Sequence, residues 1–311
     1  MNEKILISVP CFNEEESLKS TLSKLLILKT NFYFDILVSN DGSTDKTKEI
    51  LTDFKDQIKI IQSKRNFGLS ENFNSIVYFA KNNNYDTLIF FDADEQYPVD
   101  EITYLHNEYK KFNSDIHIGT RDMKNIKHFS LFKKFLQIFG SKIISFFTSY
   151  KIEDITSGFR IYSSQAIDSI YSHNNFTYTI ETIFQAHSEG LVINTTMLNS
   201  INKTRESVLF NSDYEYVSKT IKVIFSSILT YRIKIYYLLF TLMSLPGFFL
   251  VSRFLINYIE FNGYEGNLQS FIVGTIYLSM LLILFYLSLS SRRQKLHNRK
   301  IEKYIYKPKH F

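Results

Sequence analysis

LIFFDADEQYP, residues Leu88–Pro98, runs four large apolar side chains directly into two aspartates, Asp92 and Asp94. A buried aspartate is costly unless a cation or hydrogen-bond donors sit beside it. The apolar run therefore reads as a strand that surfaces at Asp92. The same pattern recurs upstream. KILISVP (Lys4–Pro10), FDILVSNDGSTD (Phe34–Asp45) and IKIIQS (Ile58–Ser63) are short apolar runs ending in polar turns. Between them, EEESLKSTLSKLLIL (Glu14–Leu28), KTKEILTDFKD (Lys46–Asp56) and SENFNSIVYFAKNN (Ser70–Asn83) carry apolar residues at helical spacing, with acids in the first turn of the first. Strands alternating with helices predict an α/β fold with a mostly parallel, Rossmann-like sheet covered on both faces. Ligands of such sheets bind outside the carboxyl ends of the strands. Pro10–Glu14, Asn40–Ser43 and Asp92–Gln96 all fall there, so three polar turns are expected on one rim.

The 311 residues are 45% hydrophobic and 16% aromatic, with 10 Gly and 4 Pro, a composition that excludes disordered and fibrous classes. The single cysteine, Cys11, rules out an intrachain disulfide and fits a reducing compartment. A net charge of +5 is too mild to indicate nucleic acid as a partner. Met1 leads at once into a strand, which predicts no signal peptide.

Ile235–Ser252 and Gly266–Ser291 contain no charged residue. Apolar runs of 18 or more residues predict transmembrane helices, here at about residues 235–257 and 268–290. Arg232 and Lys234 precede the first, and Arg292, Arg293 and Lys295 follow the second. The connector YIEFNGYEGN has two glutamates and no Lys or Arg. The positive-inside rule then puts both termini in the cytoplasm. The expected organisation is a cytoplasmic domain over 1–212, a juxtamembrane amphipathic helix over 213–234, and a two-helix hairpin with a basic tail over 235–311. IKHFSLFKKFLQIFGSKIISFF (Ile126–Phe147) interleaves large apolar residues with lysines and reads as a second interfacial helix.

Paired carboxylates at a strand end can serve as acid and base or hold a hard cation. Asp-x-Asp leaves little room for a sugar ring, whereas paired-carboxylate glycosidases need roughly 5 Å or more between the groups. A Mg²⁺ or Mn²⁺ bridging nucleotide phosphates suits the pair better.

VPCFNEEESL, VSNDGSTDKT, RNFGLSENFN, FFDADEQYPVDEI, GTR and EDITSGFRIY follow one another in the order and at the spacing of family 2 glycosyltransferases of the GT-A fold. Over roughly residues 4–210 the chain resembles the polyprenyl-phosphate sugar synthases, the group that includes dolichol-phosphate mannose synthase. The resemblance implies an inverting, membrane-anchored enzyme taking a sugar from a UDP- or GDP-sugar to undecaprenyl or dolichyl phosphate in a bacterial cytoplasmic membrane. It leaves open a homo-oligomer, and a second acceptor class: the sugar hydroxyl of a lipid-linked oligosaccharide or polysaccharide repeat.

By the same resemblance, Pro10, Phe12 and Glu14 line the base and ribose pocket and Asp41 binds base or ribose. Asp92, Ala93 and Asp94 meet the nucleotide sugar, with Asp94 the direct metal ligand and Asp92 and Gln96 beside the metal. Arg121 contacts phosphate, and Lys133 or Lys134 supplies a second phosphate contact. Arg205 clamps the departing diphosphate. Asp154 is the nearest base for a hydroxyl acceptor. The chain departs from the family in having Asn40-Asp41 where two aspartates are usual, and Glu95 where an apolar residue is usual. INKTRESVLF keeps Arg205 and Ser207 but lacks the family's Gly and Lys.

Deleting the chain from Ile235 onward should release the protein from integral membrane association yet leave salt-sensitive binding to anionic vesicles, at about 1 kcal/mol per lysine of the 126–147 segment. Flotation with liposomes at low salt checks this, and a truncated protein that ignores anionic vesicles would assign that segment to core packing alone.

Overall fold

A computed structural model describes residues 3–122, 131–201, 213–260 and 268–308, with the side chains of 131–136 and 213–216 outside that description. The chain alternates as β1 (Ile5–Cys11), α1 (Leu18–Leu28), β2 (Asp35–Asn40), α2 (Thr47–Asp53), β3 (Lys59–Gln62), α3 (Leu69–Asn82), β4 (Thr87–Phe90), α4 (Asp100–Phe112) and β5 (Ile116–Thr120). It continues through α5 (Leu131–Thr148), β6 (Arg160–Ser163), α6 (Ser164–Ser169), α7 (Tyr178–Glu189), β7 (Ile193–Met197), α8 (Asp213–Tyr231), α9 (Lys234–Glu260) and α10 (Leu268–Ile305). Seven strands form one sheet in the order β3-β2-β1-β4-β6-β5-β7. All pairings are parallel except those of β6, which runs antiparallel between β4 and β5.

The strand order carries the site. From β1 the chain winds outward through β2 and β3, then returns to place β4 on the other side of β1. Successive connections therefore diverge above the β1–β4 junction, and the sheet opens a crevice there. Val9 and Phe91 are fully buried just below it, so the polar turns that follow sit on a rigid floor. The helices pack by residue spacing. On α3, Phe73, Ile76, Val77 and Ala80 are all buried, the one-face pattern of an amphipathic helix. On α4, Asp100 and Glu101 open the first turn and Lys110 and Lys111 close the last, matching the helix dipole.

On α5, Gly140, Ser141, Ile144 and Thr148 are buried on one face while Phe139 and Phe146 are exposed, Phe146 at 80%. The helix thus packs on the core and also offers aromatic rings outward. Residues 126–130 of the expected interfacial segment, with Lys127 and His128, lie outside the described residues.

Contacts divide the chain into two compact units: residues 1–224 together with the chain from Tyr306, and Phe225–Ile305. In the second, α9 and α10 are long and apolar enough to cross a membrane, with mean hydropathy of 1.8 and 2.2 over their most apolar stretches, and only 11% of either stretch is buried. A soluble core helix would be mostly buried. The two helices meet at small residues. A Cβ on Gly247 would lie 2.7 Å from Leu278, and one on Gly274 would lie 3.1 Å from the Gly247 carbonyl. Tyr277 donates to the Met243 carbonyl at 2.8 Å, one turn before Pro246. Small residues that bring backbones close are how helices associate without a hydrophobic driving force between them. The second apolar span continues as one helix to Ile305, because no Gly or Pro interrupts Thr275–Lys307.

Candidate active site

Two of the three rim turns are laced together by hydrogen bonds. Asn13 takes a left-handed conformation, φ 57°, and its amide carbonyl accepts from the Thr44 N–H at 2.9 Å. The Asn13 N–H donates to Ser43 Oγ, the Glu14 N–H to Thr47 Oγ1 and the Glu15 N–H to Asp45. Asn40, fully buried, accepts from both the N–H and the hydroxyl of Ser43 and donates its amide to Gln62 Oε1 at 3.0 Å. An aspartate at that position could not make the donation, which accounts for Asn where the family has an acid. Asp41 is buried and uses both carboxylate oxygens on the loop before α3, accepting from Phe67 N at 2.9 Å and Gly68 N at 2.8 Å. Gly42 has φ 70° and passes so close to Arg65 that a Cβ would fall 2.2 Å from its carbonyl carbon. Pro10 and Phe12 are half-buried at the end of β1, and Glu14 accepts from Ser17 Oγ at 3.0 Å.

The third turn carries the acids. Ala93 is buried, and its carbonyl accepts from Thr21 Oγ1. Asp94 accepts from the Gln96 N–H at 3.0 Å, so its side chain is held over the turn. Glu95 takes φ 56° and bonds Ser20 at 2.6 Å and Lys24 at 2.5 Å on α1. The left-handed step points this third acid toward α1, where Lys24 holds its carboxyl below the usual range. Asp92 has a different neighbour: a Cβ on Gly158 would lie 2.7 Å from Asp92 Oδ2. Burial, followed by repulsion from Asp94, pushes the Asp92 carboxyl up to about 7, against the attraction of Arg121. Asp92 and Asp94 are hard oxygen donors whose repulsion a divalent cation would relieve, so the donor set fits Mg²⁺ or Mn²⁺. Among the described residues no third acid, His or Cys completes a cluster with them, so the remaining ligands would come from Gln96, water and substrate.

Beside the acid-bearing turn, Arg121 and Asp154 form a fork. Arg121 donates to the Asp154 carboxylate through Nε at 2.6 Å and Nη2 at 3.1 Å, to Thr156 Oγ1 at 2.7 Å and to Gln96 Oε1 at 3.2 Å. Asp154, 1% exposed, also accepts from the Thr156 N–H and hydroxyl. Burial works to raise its pKa, but the Arg121 charge and these bonds outweigh it and hold the acid below the usual range. A carboxylate so engaged is a poor proton acceptor. The same fork ties Arg121, expected at a phosphate, into the protein.

Arg160 is fully buried and donates to the backbone carbonyls of Ile155, Ser157 and Thr179 at 2.8–2.9 Å, and to Thr182 Oγ1. It braces the 155–158 turn from beneath and so sets how closely Gly158 approaches Asp92. Tyr97, also buried, reaches Ser157 Oγ at 3.2 Å, and Ser157 donates to the Gly119 carbonyl. Thr156, Ser157, Gly158 and Tyr97 were not singled out by sequence reasoning, although TSGFR sits inside a motif that was. Arg205 and the side chains of Lys133 and Lys134 lie outside the described residues.

The mostly parallel seven-stranded sheet is that of the GT-A glycosyltransferases. A solved neighbour is the glucosyl-3-phosphoglycerate synthase of Mycobacterium tuberculosis in complex with Mn²⁺, UDP and glucosyl-3-phosphoglycerate, at TM-score 0.55 and 12% identity over 73% of this chain and 79% of that one. Residues 6–171 match the model of glycosyl transferase family 2, and the chain belongs to that family. Curated relatives include an uncharacterised glycosyltransferase of Synechocystis, 30% identical over 55% of this chain and 53% of its own length. Another is the dolichol-phosphate mannosyltransferase of Pyrococcus furiosus, 26% identical over 54% of this chain and 48% of its own. The chain spans about half the length of these two relatives.

Gly158→Ala should push the Asp92 carboxylate aside while leaving the sheet intact, because the position needs no unusual backbone conformation. A misplacement of that size costs roughly a hundredfold in turnover. Sugar transfer measured alongside a thermal melt checks it, the expected result being lost activity at an unchanged melting temperature.

Proposed function

We propose that this protein is a membrane-anchored inverting glycosyltransferase that moves a sugar from a nucleotide sugar to a polyprenyl phosphate at the cytoplasmic leaflet. The observation that carries the acceptor half of this reading is the Arg121–Asp154 fork. A sugar hydroxyl has to lose a proton as it attacks, and Asp154, the base that the resemblance offers for it, is bound to Arg121 and held with little affinity for a proton. A phosphate monoester, with second pKa about 6, is already ionised at neutral pH and needs only positioning. The Pyrococcus relative, a dolichol-phosphate mannosyltransferase, supports the same reading.

In this reading the donor lies above the β1–β4 junction, with its base and ribose between Pro10, Phe12, Glu14 and the turn that Asp41 anchors. Asp94, with Asp92 and Gln96 beside it, would hold a Mg²⁺ or Mn²⁺ that screens the diphosphate, as the Mn²⁺–UDP complex of the structural neighbour supports. The acceptor phosphate attacks the anomeric carbon in line with the departing nucleoside diphosphate, inverting the centre in a single displacement. Arg205 would meet the charge that grows on the leaving diphosphate, which a guanidinium fork suits. With Arg121 engaged by Asp154, neutralising the acceptor phosphate falls chiefly to Lys133 and Lys134. The exposed rings of α5 would lie in the headgroup layer, and α9 and α10 would anchor the chain.

Asp154→Asn would not by itself separate the two acceptor classes, since it also loosens Arg121. Product identity does. Membranes containing the full chain, given labelled UDP- and GDP-sugars with Mg²⁺ or Mn²⁺ and undecaprenyl phosphate, should yield a labelled lipid that mild acid hydrolyses to the free sugar. Label entering only when a lipid-linked oligosaccharide is supplied, through an acid-stable glycosidic bond, would overturn the phosphate reading.

A further inference from the structure

Tyr306 follows directly on α10, yet its contacts place it in the first compact unit, against the outer side of α3. Its hydroxyl donates to Glu71 Oε1 at 3.0 Å and lies 3.2 Å from Ser75 Oγ. Its ring meets Tyr78 and Tyr171 edge-on, with centroids 5.9 and 5.1 Å apart, and Pro308 beyond it is buried. Edge-to-face pairs of this kind stabilise beyond the area they bury. Burial and then the Glu71 carboxylate raise the Tyr306 hydroxyl above its ordinary pKa, so it remains a donor at every physiological pH.

Glu71 is the third residue of α3, and Ser75 lies one turn on. The same two turns are held on their other sides. Asn72 donates to the Ser39 carbonyl of β2 at 3.1 Å, and Asn74 exchanges two hydrogen bonds of 2.8 Å with the backbone of Ser172. The first backbone bond of the helix, from Asn72 N to the Gly68 carbonyl, starts at the residue whose N–H Asp41 holds. The start of α3 and the Phe67–Gly68 loop are therefore linked in one hydrogen-bonded network, held by β2, by the 172 turn and by Tyr306.

We propose that Tyr306 is a positioning residue for the donor side of the site, bracing α3 through Glu71 and Ser75 and thereby holding the Phe67–Gly68 loop against Asp41. Its bearing on nucleotide binding rests on the donor reading given above; the brace itself does not. A chain shortened before Tyr306 would lose the brace together with whatever the apolar helices contribute.

Hydrogen exchange of the full chain in detergent, without nucleotide, tests the brace. Tyr306→Ala should speed exchange of the amides at 66–76 tenfold or more and leave β5 and β7 unchanged. Tyr306→Phe, which keeps the ring contacts, should fall between, and Glu71→Gln, which keeps an acceptor oxygen, should stay near wild type. In calorimetry with UDP and with GDP, each with Mn²⁺, Tyr306→Ala should weaken several-fold whichever nucleotide the wild type binds. Unchanged exchange at 66–76 would overturn the proposal, as would exchange that rises equally in β5 and β7, the mark of a general stabilising role. A wild type that binds neither nucleotide would refute the donor reading, while the exchange result still decides the brace.

Discussion

The Asp92 carboxylate sits where Gly158 leaves no room for a methyl group, repelled by Asp94 and Glu14 and drawn by Arg121 and Arg160. Like charges that repel one another in a cleft disfavour the fully ionised state. Much of the surrounding architecture controls how many negative charges face the crevice and what opposes them. Glu95 is turned out of it by a left-handed residue and tied to Lys24. Asp154 is neutralised by Arg121, and Asp41 is occupied with backbone N–H groups. Asp92 and Asp94 are left facing the crevice as the acids whose charge a bound cation would balance.

The two arginines divide the work. Arg160, spending its N–H groups on carbonyls of the 155–158 turn and the start of α7, fixes the wall against which Asp92 rests. Arg121 links three pieces of chain, the turn after β4 through Gln96, the end of β5 on which it sits, and the loop at Asp154–Thr156. A buried, doubly hydrogen-bonded ion pair of this sort is destabilising to break from one side. It is therefore better suited to shaping an acceptor site than to exchanging protons with a substrate.

The strand–helix alternation up to β4 was legible because each element carries its own periodicity and its own polar terminus. The acids of the third turn were legible for the same reason: a strand that apolar can end in Asp-Ala-Asp only at a rim. The antiparallel insertion of β6 between β4 and β5 was not, since RIYS is short and its place depends on pairings with residues 42 to 76 positions away. Nor was the fork, whose partners are 33 residues apart and individually read as a phosphate ligand and a base. The bonds of Asp41 to Phe67 and Gly68 were not legible either, since they need the β3–α3 loop to be in place first. Arg160 is bonded mainly to main-chain carbonyls, which no side-chain pattern reveals. The helical continuation of α10 past the apolar span was hidden by its charge, although Arg292–Ile305 holds no residue that would stop a helix.

Donor binding as proposed depends on Asp92 and Asp94 holding a cation. Titrating metal-free full-length protein with Mn²⁺ alone, following the free ion by electron paramagnetic resonance at pH 6 and pH 8, tests it most directly. Burial and Asp94 push the Asp92 carboxyl up to about 7, so proton and cation compete there at pH 6 far more than at pH 8. The apparent affinity should accordingly be about tenfold weaker at pH 6 than at pH 8, and binding should be lost in Asp94→Ala. Equal binding at the two pH values, or binding that survives Asp94→Ala, would contradict the account.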